Sequence, residues 1–388
     1  MMKDKLAKIP SSLPPSGIRK LFDIVTEMED VISLGVGEPD FDTPWNIREE
    51  AIYSLEKGKT FYTSNAGLVE LREAVCQYYK RRFDLDYAFM KESLITVGGS
   101  EGLDLALRAL VNPGDEVLIA EPCFVSYQPC AKLAGGVPVA IPLKAENEFR
   151  ITPQEIEDKI TGKSKVLMIS FPTNPTGAVM RKEHLEAIAE VVIKHDLIVI
   201  SDEIYAELTY GEKHISIASL PGMRERTIII NGFSKAYAMT GWRMGYVLGP
   251  VEVIELMTKI HQFAIMCAPT ASQYAALEAA KNCDKDVDMM VRAYNQRRRL
   301  MVDGFRKMGL ECFEPEGAFY VFPSIKKTGL TSNEFATELL LDQQVAVVPG
   351  DAFGECGEGF IRCCYAYSVV ELKEALTRIE KFVAKKLK

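Results

Sequence analysis

The sequence predicts an α/β fold built on a mostly parallel sheet, and three observations indicate it. Seven short apolar runs, rich in β-branched residues, lie between positions 94 and 249. Longer amphipathic stretches separate them, such as EGLDLALRAL (101–110) and KEHLEAIAEVVIKH (182–195). The runs are apolar throughout rather than alternating, which is typical of strands that helices cover on both faces. We therefore expect a mostly parallel seven-stranded sheet flanked by helices.

Each apolar run is expected to form one strand of this sheet. In chain order the runs are LITVG (94–98), EVLIA (116–120), VPVAIPL (137–143), KVLMIS (165–170), LIVISD (197–202), TIIING (227–232) and MGYVLG (244–249). In such sheets, ligands bind beyond the carboxyl ends of the strands. The segments that follow these runs are therefore where a functional site is expected.

The rest of the chain predicts a smaller α/β domain. A long helical region extends from Thr270 to about Met308, and a final helix begins at Val370. Between them lie the strand candidates AFYVFPS (318–324), QVAVVPG (344–350) and FIRCCYAY (360–367). A chain of 388 residues is too long for one small core. We predict a large ligand-binding domain over 46–280 and a small domain formed by 1–45 together with 281–388.

Charge, cysteine content and hydropathy exclude several classes of protein. The net charge is −8, and a solvated helix face and a terminal tail explain the basic clusters at 297–299 and 385–388. The nine cysteines form no CxxC pair, which favours reduced thiols in a cytosolic protein. The opening segment MMKDKLAKIPSSLPPSG lacks the apolar core of a signal peptide, and no apolar run is long enough to span a membrane. We expect a cytoplasmic protein with no nucleic-acid or membrane partner.

Two strand ends carry turns that suit a ligand. Gly98 and Gly99 allow a tight turn after the first run, and Ser100 and Glu101 then open a helix. The free N–H groups at the start of a helix suit an anion such as a phosphate, although a serine N-cap explains the pattern equally well. Asn174 follows the fourth run and lies between two prolines that stiffen its backbone. A proline turn between strand and helix is the alternative there.

Two further strand ends carry ionisable groups. Asp202 ends LIVISD, and a carboxylate at the end of a buried strand needs a positive partner. Tyr205 lies three residues further on, on the same side if this turn is helical. Lys235 and, eight positions later, Arg243 lie in NGFSKAYAMTGWRMGY (231–246), whose small residues let a bulky group approach the backbone. A glycine-rich loop leading into a strand is the alternative interpretation.

Pyridoxal 5′-phosphate is a ligand whose chemistry needs this set of groups. Its aldehyde condenses with a lysine amine, for which Lys235 is the candidate. Its ring nitrogen needs an acid, Asp202, to stay protonated, because the protonated ring accepts electrons from a substrate carbanion. Asn174 and Tyr205 would bond its phenolate oxygen. The remaining candidates for the phosphate cup are Ser234 and Arg243.

The same segments resemble a known family, the class I aminotransferases among the fold-type-I pyridoxal-phosphate enzymes. GFSKAYAMTGWRMG fits the lysine attachment pattern of that family at every restricted position. Further motifs in family order are LGVGEPDFDTP (34–44), FYTSNAG (61–67), NPTG (174–177), SDEIY (201–205), GAFYVFP (317–323) and VAVVPGDAFG (345–354). The resemblance covers nearly the whole chain. It implies a fold-type-I transferase fold.

The resemblance also implies roles that the residues alone do not reveal. Gly37 would offer its N–H to the substrate carboxylate, and Arg362 would bind the α-carboxylate as a bidentate pair. Without the resemblance, Arg362 would be interpreted as a structural ion pair. Phe124 would stack on the cofactor ring, and Ile18 would be an apolar neighbour of the substrate side chain. Tyr62 would reach the phosphate of the neighbouring subunit, which implies a homodimer with shared active sites.

The activity implied is a ping-pong transamination between an L-amino acid and a 2-oxo acid. We expect an aromatic or broad-specificity donor and 2-oxoglutarate as the acceptor, with N-acetyl-diaminopimelate and aspartate left open as donors. A C–S β-lyase of the cystathionine type and a non-catalytic regulatory module are the rival interpretations. The family also has a cis Asn174–Pro175 bond. None of the four histidines falls in a motif, and no metal is expected.

Overall fold

The computed structural model describes Met2, residues 5–14, Met28 and residues 30–387. In chain order its strands are β1 (Ile32–Ser33), β2 (Ser93–Val97), β3 (Glu116–Glu121), β4 (Val137–Pro142), β5 (Ser164–Ser170), β6 (Ile198–Asp202), β7 (Thr227–Gly232), β8 (Met244–Leu248), β9 (Tyr320–Val321), β10 (Val345–Ala346), β11 (Val348–Pro349) and β12 (Ile361–Cys364). The seven strands from β2 to β8 form one sheet in the order β2-β8-β7-β6-β5-β3-β4. All seven predicted runs are therefore strands of a single sheet.

Only β8 runs antiparallel to its neighbours β2 and β7 in this sheet, so the expectation of a mostly parallel sheet is confirmed. Parallel neighbours need a long crossover, usually through a helix. The segment 233–243 between β7 and β8 contains no helix, so the chain turns back instead. As a result, β8 begins at the edge where the other six strands end.

The helices cover both faces of the sheet. Their bounds are α1 (Lys8–Ser12), α2 (Trp45–Glu56), α3 (Val69–Phe83), α4 (Gly98–Leu110), α5 (Tyr127–Leu133), α6 (Pro153–Glu157), α7 (Lys182–Lys194), α8 (Val251–Ala264), α9 (Thr270–Asn282), α10 (Asp284–Lys307), α11 (Ser332–Gln343) and α12 (Val369–Lys386). Along β6, Val199 packs into one core cluster and the next residue, Ile200, into the cluster on the opposite face. This two-sided burial explains why the strands are apolar throughout. The helical region predicted from Thr270 is two helices that meet at Cys283.

The strands near the carboxyl terminus are shorter than predicted. β11, β12 and β9 form a three-stranded antiparallel sheet, and β1 pairs with β10 in parallel. The strand expected over AFYVFPS is reduced to two residues because Ala318 has a positive φ of 55° and Pro323 has no N–H to donate. The division into domains at 46 and 280 stays a prediction. Among the described helices, none combines the length and apolar character of a membrane span.

The close approach of β8 to the start of α4 depends on a glycine. A Cβ added to Gly245 would lie 2.5 Å from the Gly99 nitrogen and 2.7 Å from the Gly98 oxygen, both of them backbone atoms. We expect Gly245→Ala to lower the free energy of unfolding by about 3 kcal/mol, because two elements must separate to accept one methyl group. Urea unfolding followed by circular dichroism measures this. Gly162→Ala is the matched control, since a Cβ there meets no atom within 4 Å. Equal stability of the two variants would contradict the prediction.

Candidate active site

A cavity of about 380 Å³ lies at the edge where β2, β5, β6 and β7 end and β8 begins. The antiparallel course of β8 brings residues from both ends of the segment 233–243 to this edge. The structure therefore gathers side chains that are far apart in sequence. The predicted site residues that line the cavity are Gly37, Gly99, Ser100, Phe124, Asn174, Asp202, Tyr205, Ser234, Lys235, Arg243 and Arg362.

Among the described residues, Lys235 makes one hydrogen bond, to a backbone oxygen. Its Nζ donates a hydrogen bond to the Gly37 oxygen at 2.7 Å and lies 5.8 Å from the centre of the Phe319 ring. Burial lowers the pKa of Lys235 to about 8, and the Arg362 and Arg243 charges act in the same direction. A neutral amine is consequently accessible near neutral pH. Such an amine can act as a nucleophile and as a base.

Asp202 ends β6 and faces the cavity with its charge supported by two donors. Its Oδ2 accepts a hydrogen bond from the Tyr127 hydroxyl at 2.6 Å, and its Oδ1 accepts one from the Ile204 N–H at 3.1 Å. Burial raises the pKa of Asp202, and these hydrogen bonds oppose the rise. Sequence reasoning missed Tyr127, which lies on the short helix α5 outside every motif. No local signal distinguishes it from an ordinary core aromatic.

A buried polar network holds the ends of β6 and β7 in position behind Asp202. Glu203 has no exposed surface and accepts hydrogen bonds from Ser201 Oγ at 3.1 Å and Tyr79 Oη at 3.3 Å. The Tyr79 hydroxyl in turn accepts one from Asn231 Nδ2 at 2.7 Å, near the end of β7. His214 Nε2 lies 3.2 Å from Glu203 Oε2. The network therefore connects the strand that carries Asp202 to the strand that precedes Lys235.

Arg362 lies at the opposite wall of the cavity. Its Nη1 donates to Asn174 Oδ1 at 2.8 Å, and its Nη2 donates to the Gly35 oxygen. The guanidinium lies between the rings of Tyr320, at 4.5 Å, and Phe353, at 4.8 Å. Its Nε is buried without a hydrogen-bond partner among the described residues. In the described part of the chain no acid forms an ion pair with this arginine, so the guanidinium suits a carboxylate ligand.

The tyrosine predicted to face the phenolate oxygen has a partner that sequence reasoning missed. Tyr205 Oη and Tyr320 Oη lie 2.7 Å apart and share a hydrogen bond. Burial raises the pKa of both hydroxyls, so both are protonated donors near neutral pH. The sequence identifies GAFYVFP only as a family motif and assigns no role to its tyrosine. The Asn174–Pro175 peptide bond is cis, as expected.

The start of α4 and Arg243 form a cradle for an anion. Gly98 has a φ of 74°, and a Cβ there would lie 2.6 Å from Arg243 Nη2. Arg243 itself has a φ of 53°, a left-handed conformation that costs about 1 kcal/mol in a residue with a Cβ. Gly99, Ser100 and Ser234 line the same end of the cavity. Backbone N–H groups at this helix start have the geometry that favours a phosphate.

Three predicted residues lie apart from this arrangement. Glu101 turns away from the cavity, because its carboxylate accepts from the Val97 N–H at 2.5 Å and contacts His261 Nδ1 at 2.7 Å. Tyr62 is 81% exposed on the single chain and lies outside the cavity. Ile18 lies outside the described residues.

The residues present fit pyridoxal phosphate. An amine with a lowered pKa, a carboxylate held between two donors, a pair of phenols and a glycine cradle at a helix start match the aldehyde, ring nitrogen, phenolate and phosphate of that cofactor. No cluster of three or more metal-binding side chains occurs in the described part of the chain. The absence of a metal stays a prediction.

Comparisons with known proteins agree with this chemistry. The family model described as aminotransferase class I and II matches residues 29–379. An aspartate aminotransferase of Pyrococcus abyssi is 49% identical over 96% of each chain. An aromatic-amino-acid aminotransferase of Thermococcus litoralis is 46% identical over 96% of each chain. The crystal structure of an aromatic aminotransferase from Pyrococcus horikoshii superposes with a TM-score of 0.91 at 46% identity, covering 94% of this chain and 99% of that one.

The buried amine makes stability depend on pH in the protein stripped of cofactor. Lys235→Met removes the charge, so the variant is expected to be more stable than the wild-type protein at pH 7. Below pH 8 the wild-type protein buries an ammonium, and its free energy of unfolding is lower than that of the variant by the full cost of this burial. Between pH 8 and 10.5 the native lysine is neutral while the unfolded chain still binds the proton. The difference in free energy of unfolding between the two proteins therefore shrinks as pH rises. Urea unfolding at pH 7, 8, 9 and 10 measures the difference.

The exposed Lys59 supplies the control for this measurement. Lys59→Met changes the same residue type without removing a buried charge, and its stability profile should run parallel to that of the wild-type protein over this pH range. A parallel profile for Lys235→Met would contradict the inferred burial of the amine.

Proposed function

Because the chain belongs to the class I and II aminotransferases, which depend on pyridoxal phosphate, we propose that it transfers the amino group of aromatic and other apolar L-amino acids to a 2-oxo acid. The fold is the fold-type-I transferase fold expected from the sequence. The aminotransferase activity follows from the family. The donor, the acceptor and the roles of individual residues are proposals.

The proposal about the amino donor rests on the positively charged side chains that line the cavity. Among the described residues that line it, the cations are Lys235, Arg243 and Arg362. We assign the first two to the cofactor and Arg362 to the α-carboxylate of the substrate. No lining cation is left for a second carboxylate on the donor side chain, whereas Val36 and Phe124 offer apolar surface. This arrangement favours an aromatic or apolar side chain over that of aspartate.

In the proposed mechanism, each residue acts at a defined atom of the cofactor or the substrate. Pyridoxal phosphate, when bound, supplies the electron sink for the carbanion that forms at the substrate Cα. Lys235 would hold the cofactor aldehyde at rest and, once the substrate has displaced it, take the Cα proton with its neutral amine. Its lowered pKa favours that role. Asp202 would hold the proton of the ring nitrogen, and the Tyr127 hydroxyl helps it to stay ionised.

Substrate binding would depend on Arg362 and its neighbours. The bond from Arg362 Nη1 to Asn174 fixes one side of the guanidinium, and the two flanking rings restrict its tilt. A carboxylate held there by two charge-assisted hydrogen bonds would be oriented for proton removal. Gly37 would add its N–H. Tyr205 and Asn174 would bond the phenolate oxygen.

The proposed cycle is ping-pong, with 2-oxoglutarate as the acceptor. This acceptor follows from the resemblance alone, and its distal carboxylate has no fourth cation among the described lining residues. Aspartate and N-acetyl-diaminopimelate remain alternative donors, since relatives with these names are similar to the chain over most of its length. A donor assay therefore has to include them.

We also propose a homodimer with shared active sites. Phe61 is 80% exposed and Tyr62 is 81% exposed, and Phe263, three residues before Met266 in the chain, is 83% exposed. Hydrogen bonds from Thr270 Oγ1 to the Phe61 oxygen and from Asn65 Nδ2 to the Met266 oxygen tie the two loops together. Such a connected apolar patch is typical of a surface that a partner covers. Tyr62 would then reach the partner's cofactor phosphate. The nine free cysteines support a cytoplasmic location.

A half-reaction without acceptor tests the activity and identifies the donor. The holoenzyme is mixed in turn with phenylalanine, tyrosine, aspartate, N-acetyl-diaminopimelate and cystathionine, and the 2-oxo acid released is quantified. We expect one equivalent per active site, released fastest with an aromatic donor, because the amino group stays on the enzyme until an acceptor arrives. Lys235→Ala should release none. Continued release of pyruvate from cystathionine would indicate a β-lyase, and no release from any donor would contradict the proposal.

Mixing two inactive variants tests the shared sites. We expect Tyr62→Ala and Lys235→Ala to be nearly inactive alone. After the two are mixed under conditions that exchange subunits, the heterodimer should contain one complete site. Recovery should approach about a quarter of wild-type activity, since half the dimers are mixed and each has one complete site of two. Mixing Lys235→Ala with Asp202→Ala is the control: both residues belong to the site of their own subunit, so each site of the mixed dimer keeps one defect and no recovery is expected. No recovery in the first mixture, or equal recovery in both mixtures, would contradict active sites that share Tyr62 between subunits.

A further inference from the structure

Three arginines are almost completely buried, and they differ in how their charge is balanced. Arg72 is 4% exposed, Arg298 is 5% exposed and Arg362 is 4% exposed. Arg298 donates to Glu314 at 2.7 Å, so an acid of the chain neutralises it. Arg362 has no acid and faces the cavity where a substrate carboxylate is proposed to bind. Among the described residues, Arg72 also forms no ion pair with an acid, but it does not line the active-site cavity.

Among the described residues, no acid forms an ion pair with Arg72. Its Nε donates to Ser93 Oγ at 3.2 Å, and within the described part of the chain its guanidinium makes no other hydrogen bond and no ion pair. The adjacent Glu92 is already held by Arg224 at 2.8 Å. Burial raises the pKa of the neighbouring Cys76 thiol to about 12, so that thiol is neutral. Burial lowers the pKa of Arg72, as expected for a cation without a partner.

The guanidinium of Arg72 faces a cavity of about 230 Å³ that is separate from the active site. Lys91 adds a second cation to its lining. Thr258 also lines the cavity, but its hydroxyl donates to the Ile254 oxygen at 2.7 Å. The remaining lining residues are Ala66, Met90, Ile254 and Glu255. Because Ser93 begins β2, this cavity lies toward the amino end of that strand, and the active site lies at the carboxyl end. The cavity is large enough for a small hydrated ion but not for a nucleotide.

We propose that Arg72 and Lys91 bind a small tetrahedral oxyanion of the inorganic phosphate or sulfate type. The planar fork of a guanidinium presents two parallel N–H groups to two oxygens of such an ion, and a lysine adds charge at the rim. The ion would balance the buried charge and connect α3 to the segment that precedes β2. Glu255 is the one acid in the lining, and it would repel the ion.

Glu255 also defines the rival explanation. If its exposed side chain instead closes over Arg72 as an ion-pair partner, no anion is needed. The two explanations predict opposite effects of removing its charge. Glu255→Gln should strengthen oxyanion binding if the site exists. It should instead lower the thermal midpoint, with no gain in binding, if Glu255 is the partner of Arg72.

The test is a titration of the cofactor-saturated holoenzyme with sodium sulfate and with inorganic phosphate by isothermal titration calorimetry. Sodium chloride at matched ionic strength is the blank, and saturation with cofactor keeps the proposed phosphate cradle filled. We expect Arg72→Lys to weaken binding about tenfold or more, through loss of the bidentate contact. Lys91→Met, at an exposed position that folding does not require, should weaken it roughly threefold. Lys59→Met should leave it unchanged.

Each outcome decides for or against the site. Weaker binding in both Arg72→Lys and Lys91→Met, together with stronger binding in Glu255→Gln, supports it. The Lys91 and Glu255 variants keep the test valid even if Arg72→Lys does not fold, because both changes are on exposed side chains. Binding that is the same in all variants would assign the ion to another site, such as Arg362, and would overturn the proposal. Absence of sulfate and phosphate binding would overturn it as well.

Discussion

The removal of water from charged side chains at the carboxyl edge of the sheet is the constraint on which the rest of the site depends. Desolvation disfavours the charged form of any group, so it lowers the pKa of Lys235 and raises the pKa of Asp202. The proposed chemistry needs a neutral amine but an ionised acid. The lysine therefore needs little polar support, whereas Asp202 has Tyr127 and the Ile204 N–H as donors. One physical cause explains why one group is sparsely bonded and the other is held on both oxygens.

The reversal of the chain between β7 and β8 explains the spacing of the two cations in the lysine segment. β7 runs toward the carboxyl edge and β8 runs away from it. Lys235 follows the end of β7 and Arg243 precedes the start of β8, so eight residues of sequence separate two side chains that line one cavity. Gly245 and Gly98 make the reversal possible, because β8 and the start of α4 approach through backbone atoms alone. Small residues in this segment thus serve both packing and the site.

The buried polar groups behind the cavity give the site its rigidity. Glu203 is next to Asp202 in sequence, but it points into a network with Ser201, Tyr79 and Asn231. A buried carboxylate with several donors is fixed in position, because leaving any of them unpaired costs free energy. The same principle separates the buried arginines. Arg298 is balanced by an acid of the chain, while Arg362 and Arg72 form no ion pair among the described residues and are proposed to bind anions.

The sequence by itself determined the seven strands, their mostly parallel arrangement and the residues that follow them, because apolar periodicity and turn residues are local properties. The resemblance added Arg362 and Gly37, which no local pattern assigns to a site. Only the tertiary structure decided that Tyr127 supports Asp202, that Tyr320 pairs with Tyr205 and that Glu101 turns toward His261. It also decided that Arg72 forms no ion pair among the described residues. These outcomes depend on which side chains meet after residues 75 to 160 positions apart are packed together, and the physical reason is that a hydrogen bond is set by distance in space rather than along the chain.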